Sequence, residues 1–167
     1  MWGAAARAQI KALVTDFDGV HTDNSVFLDM DGREFVRCSR ADGMGIEMLR
    51  RRGLKLLILS RESDGVVAAR ARKLQMECAH DVKDKLPFLD AWRQRNGLSW
   101  QELAYIGDDI NDLECLEACG LSVAPGNARA EVKEVCQIVL KCSGGDGALR
   151  ELCDHLIDSA LVPDVPV

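Results

Sequence analysis

Short apolar runs alternate with amphipathic stretches along almost the whole of this chain. The runs at residues 12–15, 55–60, 103–107, 121–124 and 137–140 have the pattern of buried strands. Helix signals fill the gaps between them. Strand, helix, strand repetition predicts an α/β fold, a doubly wound parallel sheet with helices on both faces.

The length and charge of the chain restrict its organisation and its partners. At 167 residues the chain is long enough to bury one core but short for two, so we expect a single domain over residues 1–167. The formal net charge of -6 argues against a nucleic-acid partner, because phosphate backbones are bound by clustered Lys and Arg. A small diffusible substrate fits the composition better.

The N-terminus and the longest apolar run carry no export or membrane signal. The first ten residues are interrupted by Arg7 and lack the long apolar stretch of a secretory signal. The longest apolar run, at 54–59, contains Lys55 and is far too short to cross a bilayer. We therefore expect no membrane span and a cytoplasmic protein.

One segment departs from the alternation of strands and helices. Residues 26–30 and 34–38 flank Asp31-Gly32, a dipeptide typical of β-hairpin turns. We expect an antiparallel flap over about residues 24–38. The flap has more apolar surface than an isolated hairpin can expose to water, so it is predicted to pair with another subunit.

Polar side chains cluster where the predicted strands end. In a parallel sheet, ligands bind beyond the carboxyl ends of the strands. The residues at four of these ends, or in the loops after them, are Asp16 and Asp18, Ser60, Lys85, and Asp108 and Asp109. We expect them to converge on one site.

Five aspartates in this set would crowd like charges into a small volume. Such crowding requires a cation that neutralises it. The candidate ligands are all oxygen atoms, and no His or Cys has suitable spacing, so Mg²⁺ fits better than zinc. The sequence therefore predicts a magnesium site among Asp16, Asp18, Asp108, Asp109 and Asp112.

The ordered set of motifs resembles the haloacid dehalogenase superfamily of phosphohydrolases. Its four motifs appear as Asp16-Phe17-Asp18-Gly19-Val20, then Ser60 after an apolar strand, then Lys85, then Gly107-Asp108-Asp109-Ile110-Asn111-Asp112. The resemblance spans almost the whole chain. It implies a HAD-like fold and a phosphatase reaction.

The resemblance also implies a role for each motif residue. Asp16 attacks phosphorus and forms an aspartyl-phosphate, while Asp18 protonates the leaving alkoxide and then activates water. Ser60 hydrogen-bonds a phosphoryl oxygen, and Lys85 offsets negative charge. Taken alone, Ser60 would be interpreted as a helix N-cap and Lys85 as a surface lysine.

The magnesium ligands follow from the same resemblance. Asp16, Asp108 and the backbone carbonyl of Asp18 match the ligands of the superfamily. Asp109 and Asp112 are expected to orient those ligands without binding the ion themselves.

Within the superfamily, the chain resembles a capless, tetrameric group of sugar-acid phosphatases. This group contains 3-deoxy-octulosonate 8-phosphate phosphatase and the nonulosonate (sialic acid, KDN) 9-phosphate phosphatases. The segments at 42–45, 84–86 and 144–151 carry the resemblance, and no stretch between the motifs is long enough for a cap domain. It implies a homotetramer whose substrate pocket is lined by Asp42 and Arg150, although Asp42 also fits a helix cap.

Two further positions bear on the substrate. Octulosonate phosphatases typically carry Arg two residues after the second motif, where this chain has Glu62. The nonulosonate branch is associated with Glu there and Lys eleven residues on, which matches Lys73. If a helix begins near Glu62, the two residues share a helical face, roughly 16 Å apart. The match at Glu62 and Lys73 favours a nonulosonate 9-phosphate as the substrate. The alternative interpretation is that both residues are solvated charges on a helix.

A second resemblance is to the C-terminal domain of animal-type CMP-sialic acid synthetases, a tetramerisation module. The segments at 91–93, 97–100, 114–116 and 141–145 carry it. In those synthetases the acidic motifs are degraded, whereas here they are intact. The resemblance implies that the chain is either a free enzyme or a domain of a bifunctional synthetase. A fused or cognate CMP-sialic acid synthetase domain is the partner that it implies. The alternative is a tetramerisation domain without catalytic activity.

Overall fold

The computed structural model describes residues 9–63 and 65–164, and the chain start at residues 1–8 lies outside this part. Within it the strands are β1 Ala12–Thr15, β2 Phe27–Leu28, β3 Glu34–Phe35, β4 Lys55–Leu59, β5 Glu77–Ala79, β6 Leu103–Ile106, β7 Leu121–Ala124 and β8 Ile138–Val139. One parallel sheet has the order β5-β4-β1-β6-β7-β8. Each strand predicted for a parallel sheet is present, so the predicted fold class is confirmed.

Helices connect the strands of this sheet. They are α1 Arg40–Arg51, α2 Gly65–Leu74, α3 Lys85–Arg95, α4 Leu113–Ala118, α5 Ala130–Val135 and α6 Ala148–Asp158. Short 3-10 turns lie at Trp100–Glu102 and Ile110–Asp112. In the described residues, only α2 and β5 separate β4 from α3, and only the hairpin separates β1 from α1, so no cap domain interrupts them.

The core lies on both faces of the sheet because neighbouring strand residues point in opposite directions. Leu13 belongs to one buried cluster, packed with α1, α2 and α6. Ala12 and Val14 belong to the other, packed with α3, α4 and α5. All four residues of β1 are buried, which explains why this strand is apolar throughout and does not alternate with polar residues.

The hairpin is shorter than predicted and has a longer turn. β2 and β3 pair over two residues each, and Asp29 and Arg33 close a three-residue loop through the Asp29 N–H and the Arg33 carbonyl. Gly32 has a φ of 77°, which glycine adopts without strain. Phe27, Leu28 and Phe35 are 64%, 65% and 56% exposed, so the flap presents its apolar surface to the outside of the chain.

Two helices begin at residues other than those expected. Ser39, and not Asp42, caps α1, because its side chain accepts hydrogen bonds from the first helical N–H groups. α2 begins at Gly65, so Glu62 lies in the preceding loop and does not share a helical face with Lys73. None of the helices within residues 9–63 and 65–164 is long and apolar enough to cross a membrane.

Candidate active site

The ends of three adjacent strands form one acidic cleft. β1 lies between β4 and β6, so the loops that follow these strands are neighbours. Asp16 follows β1 directly, Ser60 follows β4, and Asp108 lies two residues beyond β6. The cleft has a volume of about 230 Å³. Its lining residues are Asp16, Asp18, Asn24, Ser60, Arg61, Glu62, Asp108, Asp109 and Asn111.

Lys85 is buried between two carboxylates. Its Nζ lies 3.0 Å from Asp16 Oδ1 and 2.7 Å from Asp112 Oδ1. Burial lowers the pKa of Lys85, but the charges and hydrogen bonds of the two carboxylates outweigh this effect and raise that pKa overall. The lysine is therefore held as a cation beside Asp16.

Asp16 is fixed through one of its two carboxylate oxygens. Oδ1 accepts a hydrogen bond from the Phe17 N–H at 2.7 Å as well as the Lys85 contact. Burial and then the charge of Asp112 raise the pKa of Asp16 well above its ordinary value, and Lys85 opposes them. A cation in the cleft would favour the ionised form. Among the described hydrogen bonds, Oδ2 is left available to react or to bind a metal.

The Asp112 carboxylate is saturated with hydrogen bonds. Its Oδ1 accepts from Lys85 Nζ and from the Tyr105 hydroxyl, each at 2.7 Å. Its Oδ2 accepts from the backbone N–H groups of Asp108 at 3.1 Å and Asp109 at 3.4 Å. These four donors use the acceptor sites of the carboxylate, so Asp112 holds the surrounding groups in position.

The remaining carboxylates suit a metal ion. Oxygen atoms of Asp16, Asp108 and Asp112 lie within 4.8 Å of one another. Because Asp112 is saturated, Asp16 and Asp108 are the two that can hold an ion. Burial raises the pKa of Asp108 to about 6, and a hydrogen bond from Asn24 Nδ2 at 2.8 Å opposes that rise. Carboxylates crowded in this way require a cation, as the sequence predicts.

Asp18 lies in the same loop as Asp16 and is half-buried. Thr22 Oγ1 donates a hydrogen bond to Asp18 Oδ1 at 3.3 Å. Burial raises the pKa of Asp18, and the Thr22 bond only partly offsets it. The next residue, Gly19, has a φ of 72°, and a Cβ there would collide with the Asp108 carboxylate. Glycine at this position therefore lets the loops of Asp18 and Asp108 meet.

Ser60 and Glu62 come from the loop after β4. Ser60 is buried, and its Oγ accepts a hydrogen bond from the Glu62 N–H at 3.0 Å. The hydroxyl proton of Ser60 can therefore be donated into the cleft. Since α2 begins only at Gly65, Ser60 is not the cap of that helix.

Three residues predicted to bind substrate lie outside this cleft. Asp42 is fully buried, and its Oδ1 accepts from the backbone N–H of Arg150 at 2.9 Å, which ties α1 to α6. The Arg150 guanidinium binds Asp154 on its own helix. Lys73 is exposed on α2. Asp42 and Arg150 are engaged in these contacts, and none of the three residues lines the cleft, so their role in binding substrate stays a prediction.

Two residues that contact the site were not predicted from the sequence. Asn24 has a φ of 68°, a conformation that Asn adopts more readily than most residues, and it contacts Asp108 across the chain. Its only sequence signal is a short polar run after the catalytic loop. Tyr105 is buried in β6 among apolar residues, and only its hydroxyl contact with Asp112 shows its role.

Comparison with known proteins establishes the class of this protein. The family of haloacid dehalogenase-like hydrolases matches residues 60–152, more than half of the chain. The chain therefore belongs to this family. The predicted resemblance and the assignment to a hydrolase class are confirmed.

Particular relatives narrow the class. The 3-deoxy-D-manno-octulosonate 8-phosphate phosphatase of Haemophilus influenzae is 32% identical over 152 residues, which cover 90% of this chain and 84% of that protein. The N-acylneuraminate cytidylyltransferase of Oncorhynchus mykiss is 30% identical over 152 residues, which cover 89% of this chain. The matched segment is only 35% of the cytidylyltransferase, so the chain spans about a third of that relative.

A solved structure matches the fold closely. The 3-deoxy-D-manno-octulosonate 8-phosphate phosphatase from Moraxella catarrhalis superposes with a TM-score of 0.87 at 28% identity, over 90% of this chain and 87% of that one. That structure is a complex with a magnesium ion, a phosphate ion and a KDO molecule.

The saturation of Asp112 leads to a stability prediction. Asp112→Asn replaces an acceptor oxygen with an N–H group facing two donors and removes a charge paired with Lys85. We expect the free energy of unfolding to fall by about 3 kcal/mol, measured by urea denaturation at neutral pH. Asp109→Asn, at an exposed position, is the matched control and should change it by less than about 0.5 kcal/mol. Equal effects of the two variants would contradict the prediction.

Proposed function

We propose that this chain is a magnesium-dependent phosphomonoester hydrolase whose nucleophile is Asp16. The observation that carries the proposal is the contact of Lys85 with Asp16 Oδ1, which leaves Oδ2 available in a cleft shared with Asp18 and Ser60. The proposed substrate is the phosphate of a 2-keto-3-deoxy sugar acid. Residues 1–167 are proposed to form one catalytic unit.

In the proposed first step, the carboxylate of Asp16 attacks phosphorus and the bond from phosphorus to the leaving oxygen breaks. Phosphate monoesters are so inert that enzymes supply up to ~10²¹-fold acceleration, so negative charge must be neutralised during attack. Lys85 supplies a fixed positive charge at Oδ1 of the nucleophile. The Ser60 hydroxyl donates a hydrogen bond to a phosphoryl oxygen.

Asp18 is the proposed general acid and base. Its raised pKa keeps more of the carboxyl group protonated near neutral pH than in free aspartate. Asp18 gives this proton to the leaving alkoxide. The resulting carboxylate then takes a proton from the water that attacks the aspartyl-phosphate, and phosphate leaves with Asp16 regenerated.

The carboxylates of Asp16 and Asp108 and the backbone carbonyl of Asp18 are proposed to hold Mg²⁺. This donor set is all oxygen, which magnesium prefers, and the magnesium complex of the Moraxella relative supports the assignment. When bound, the ion neutralises charge on the phosphoryl group. Asp112 is saturated, and Asp109 Oδ1 accepts from the Ile110 N–H at 2.7 Å, so both are proposed to orient the ligand loop.

Loss of the nucleophile or of the metal should abolish phosphate release. We expect Asp16→Asn to lower kcat by more than about 10³-fold and Asp18→Asn by about 10²- to 10⁴-fold. Chelation with EDTA should abolish turnover, and added Mg²⁺ should restore it. Phosphate release from a sugar-acid phosphate is the measurement, with Asp158→Asn, an exposed site on α6, as control. An Asp16→Asn variant that kept a tenth of wild-type turnover would refute the mechanism.

Within this substrate class, a nonulosonate 9-phosphate is the substrate we favour. N-acetylneuraminate 9-phosphate and KDN 9-phosphate are its members, and 3-deoxy-octulosonate 8-phosphate is the alternative, supported by the two phosphatase relatives. Glu62 supports this choice, because it lines the cleft at the position where octulosonate phosphatases typically carry Arg. Lys73 lies outside the cleft of its own chain, so its proposed contribution is to the cleft of a neighbouring subunit.

The position of Glu62 leads to a specificity prediction. Glu62→Arg should lower the ratio of kcat/KM for N-acetylneuraminate 9-phosphate to that for the octulosonate 8-phosphate by at least about tenfold, because the side chain facing the sugar acid reverses its charge. Both constants are measured on the same preparation. Glu131→Arg makes the same charge change on the exposed face of α5 and should leave the ratio unaltered. If both variants shift it equally, Glu62 does not set specificity.

The apolar hairpin supports a second proposal, that the chain assembles into a homotetramer. Val26, Phe27, Leu28 and Phe35 are all about half exposed or more in one chain, which is costly unless another surface covers them. A subunit placed there would also help to close the uncapped cleft. The similarity to the cytidylyltransferase supports a fused or cognate CMP-sialic acid synthetase domain as a further partner.

Assembly through the hairpin can be tested by placing charge on it. We expect the wild-type chain to run as a tetramer in size-exclusion chromatography with light scattering, and Phe27→Glu with Phe35→Glu to reduce its mass. Val139→Glu adds a glutamate at an exposed apolar site on β8 and should leave the mass unchanged. A monomeric wild-type chain would refute assembly, whereas a tetramer without turnover on any sugar-acid phosphate would favour the non-catalytic module.

A further inference from the structure

Arg37 lies at the base of the hairpin and bridges two distant loops. Its Nη2 lies 3.1 Å from Asp23 Oδ2, in the loop after the catalytic motif. Its Nη1 and Nη2 lie 2.8 Å and 3.0 Å from the two carboxylate oxygens of Asp146, and Nη1 also reaches the Gly145 carbonyl at 3.4 Å. The planar fork of a guanidinium suits this multiple contact, which a lysine cannot reproduce.

One end of this bridge is attached to the catalytic loop. The Gly145 N–H donates to the Val20 carbonyl at 3.2 Å. The Gly144 N–H donates to Asn127 Oδ1 at 2.7 Å, and Asn127 Nδ2 donates to the Gly19 carbonyl at 3.1 Å. The loop that carries Asp146 is thus bonded to the loop that carries the proposed nucleophile, and it gives Arg37 a fixed anchor.

The other end of the bridge leads to a proposed metal ligand. Asp23 precedes Asn24, whose backbone has a φ of 68° that few side chains tolerate. Thr22 Oγ1 accepts from the Asn24 N–H at 3.2 Å, and Asn24 Nδ2 donates to Asp108 Oδ2 at 2.8 Å. Asn24 therefore fixes one oxygen of Asp108, and the conformation of Asn24 depends on the residues beside it.

We propose that Arg37 is a positioning residue of the cation site, which acts by holding residues 22–24 so that the Asn24 amide orients the Asp108 carboxylate. The inference rests on the proposed magnesium site but not on the identity of the substrate. Arg37 also belongs to the segment that follows β3, so the position of the hairpin is linked to the geometry of Asp108.

The direction of the effect separates positioning from simple electrostatics. Removal of a positive charge near an acidic cleft should by itself tighten Mg²⁺ binding, because a repulsive charge is lost. Removal of a positioning residue should weaken binding, because Asp108 is no longer held in one orientation. Arg33, at the tip of the same hairpin, pairs only with Asp29 and Asp31 in its described ion pairs and provides a matched charge control.

The test is isothermal titration of Mg²⁺ into metal-free protein, without substrate. We expect Arg37→Met and Arg37→Lys each to weaken Mg²⁺ binding about five- to tenfold, and Arg33→Met to leave it unchanged or slightly tighter. Asn24→Ala should weaken binding similarly. The Arg37→Met and Asn24→Ala double variant should bind no more weakly than Asn24→Ala alone, since both residues act through Asp108.

Several results would overturn the inference. The first is Mg²⁺ binding that is unchanged or tighter in both Arg37 variants. The second is a double variant whose loss of affinity is the product of the losses caused by Arg37→Met and Asn24→Ala. The third is a wild-type protein that does not bind Mg²⁺. Circular dichroism verifies that each variant is folded. If Arg37→Met does not fold, the binding measured for Arg37→Lys tests the inference. Weakened binding with no phosphatase activity would refute the proposed reaction and leave this inference standing.

Discussion

A buried lysine between two aspartates is the interaction on which the rest of the site depends. Lys85, Asp16 and Asp112 come from three distant parts of the sequence, and their contacts are between 2.7 and 3.0 Å. Removing one partner from such a group leaves an uncompensated buried charge, which costs about 3–5 kcal/mol. The contacts among the first, third and fourth motifs therefore stabilise the fold as well as the site. The Asp112 carboxylate also accepts hydrogen bonds from the Tyr105 hydroxyl and from the backbone N–H of Asp108.

The parts of the site that follow from the sheet topology could be predicted from the sequence. Asp16, Ser60 and Asp108 could be placed together because they end strands, and parallel strands end at one edge of a sheet. Their convergence needed no knowledge of side-chain conformations. The acidic residues then implied a cation by charge alone, whichever rotamers they adopt.

Other features around the site depend on tertiary contacts and could not be predicted from the sequence. Asp42 and Arg150 look available for a ligand, but one carboxylate oxygen of Asp42 is used by the backbone of α6. Whether Glu62 and Lys73 share a helical face depends on where α2 begins, and such boundaries are poorly encoded locally. Asn24 finds its partner 84 residues away, and no periodicity in the sequence signals that pairing.

The sheet order also determines which parts of the site open first. β1 is hydrogen-bonded to a strand on each side, so its amide hydrogens should exchange with solvent only in the largest opening events. The exposed pairing of β2 with β3 involves two residues on each strand and should open in the smallest. A single loop joins β1 to the hairpin, so the hairpin can unfold locally while Asp16 stays in place.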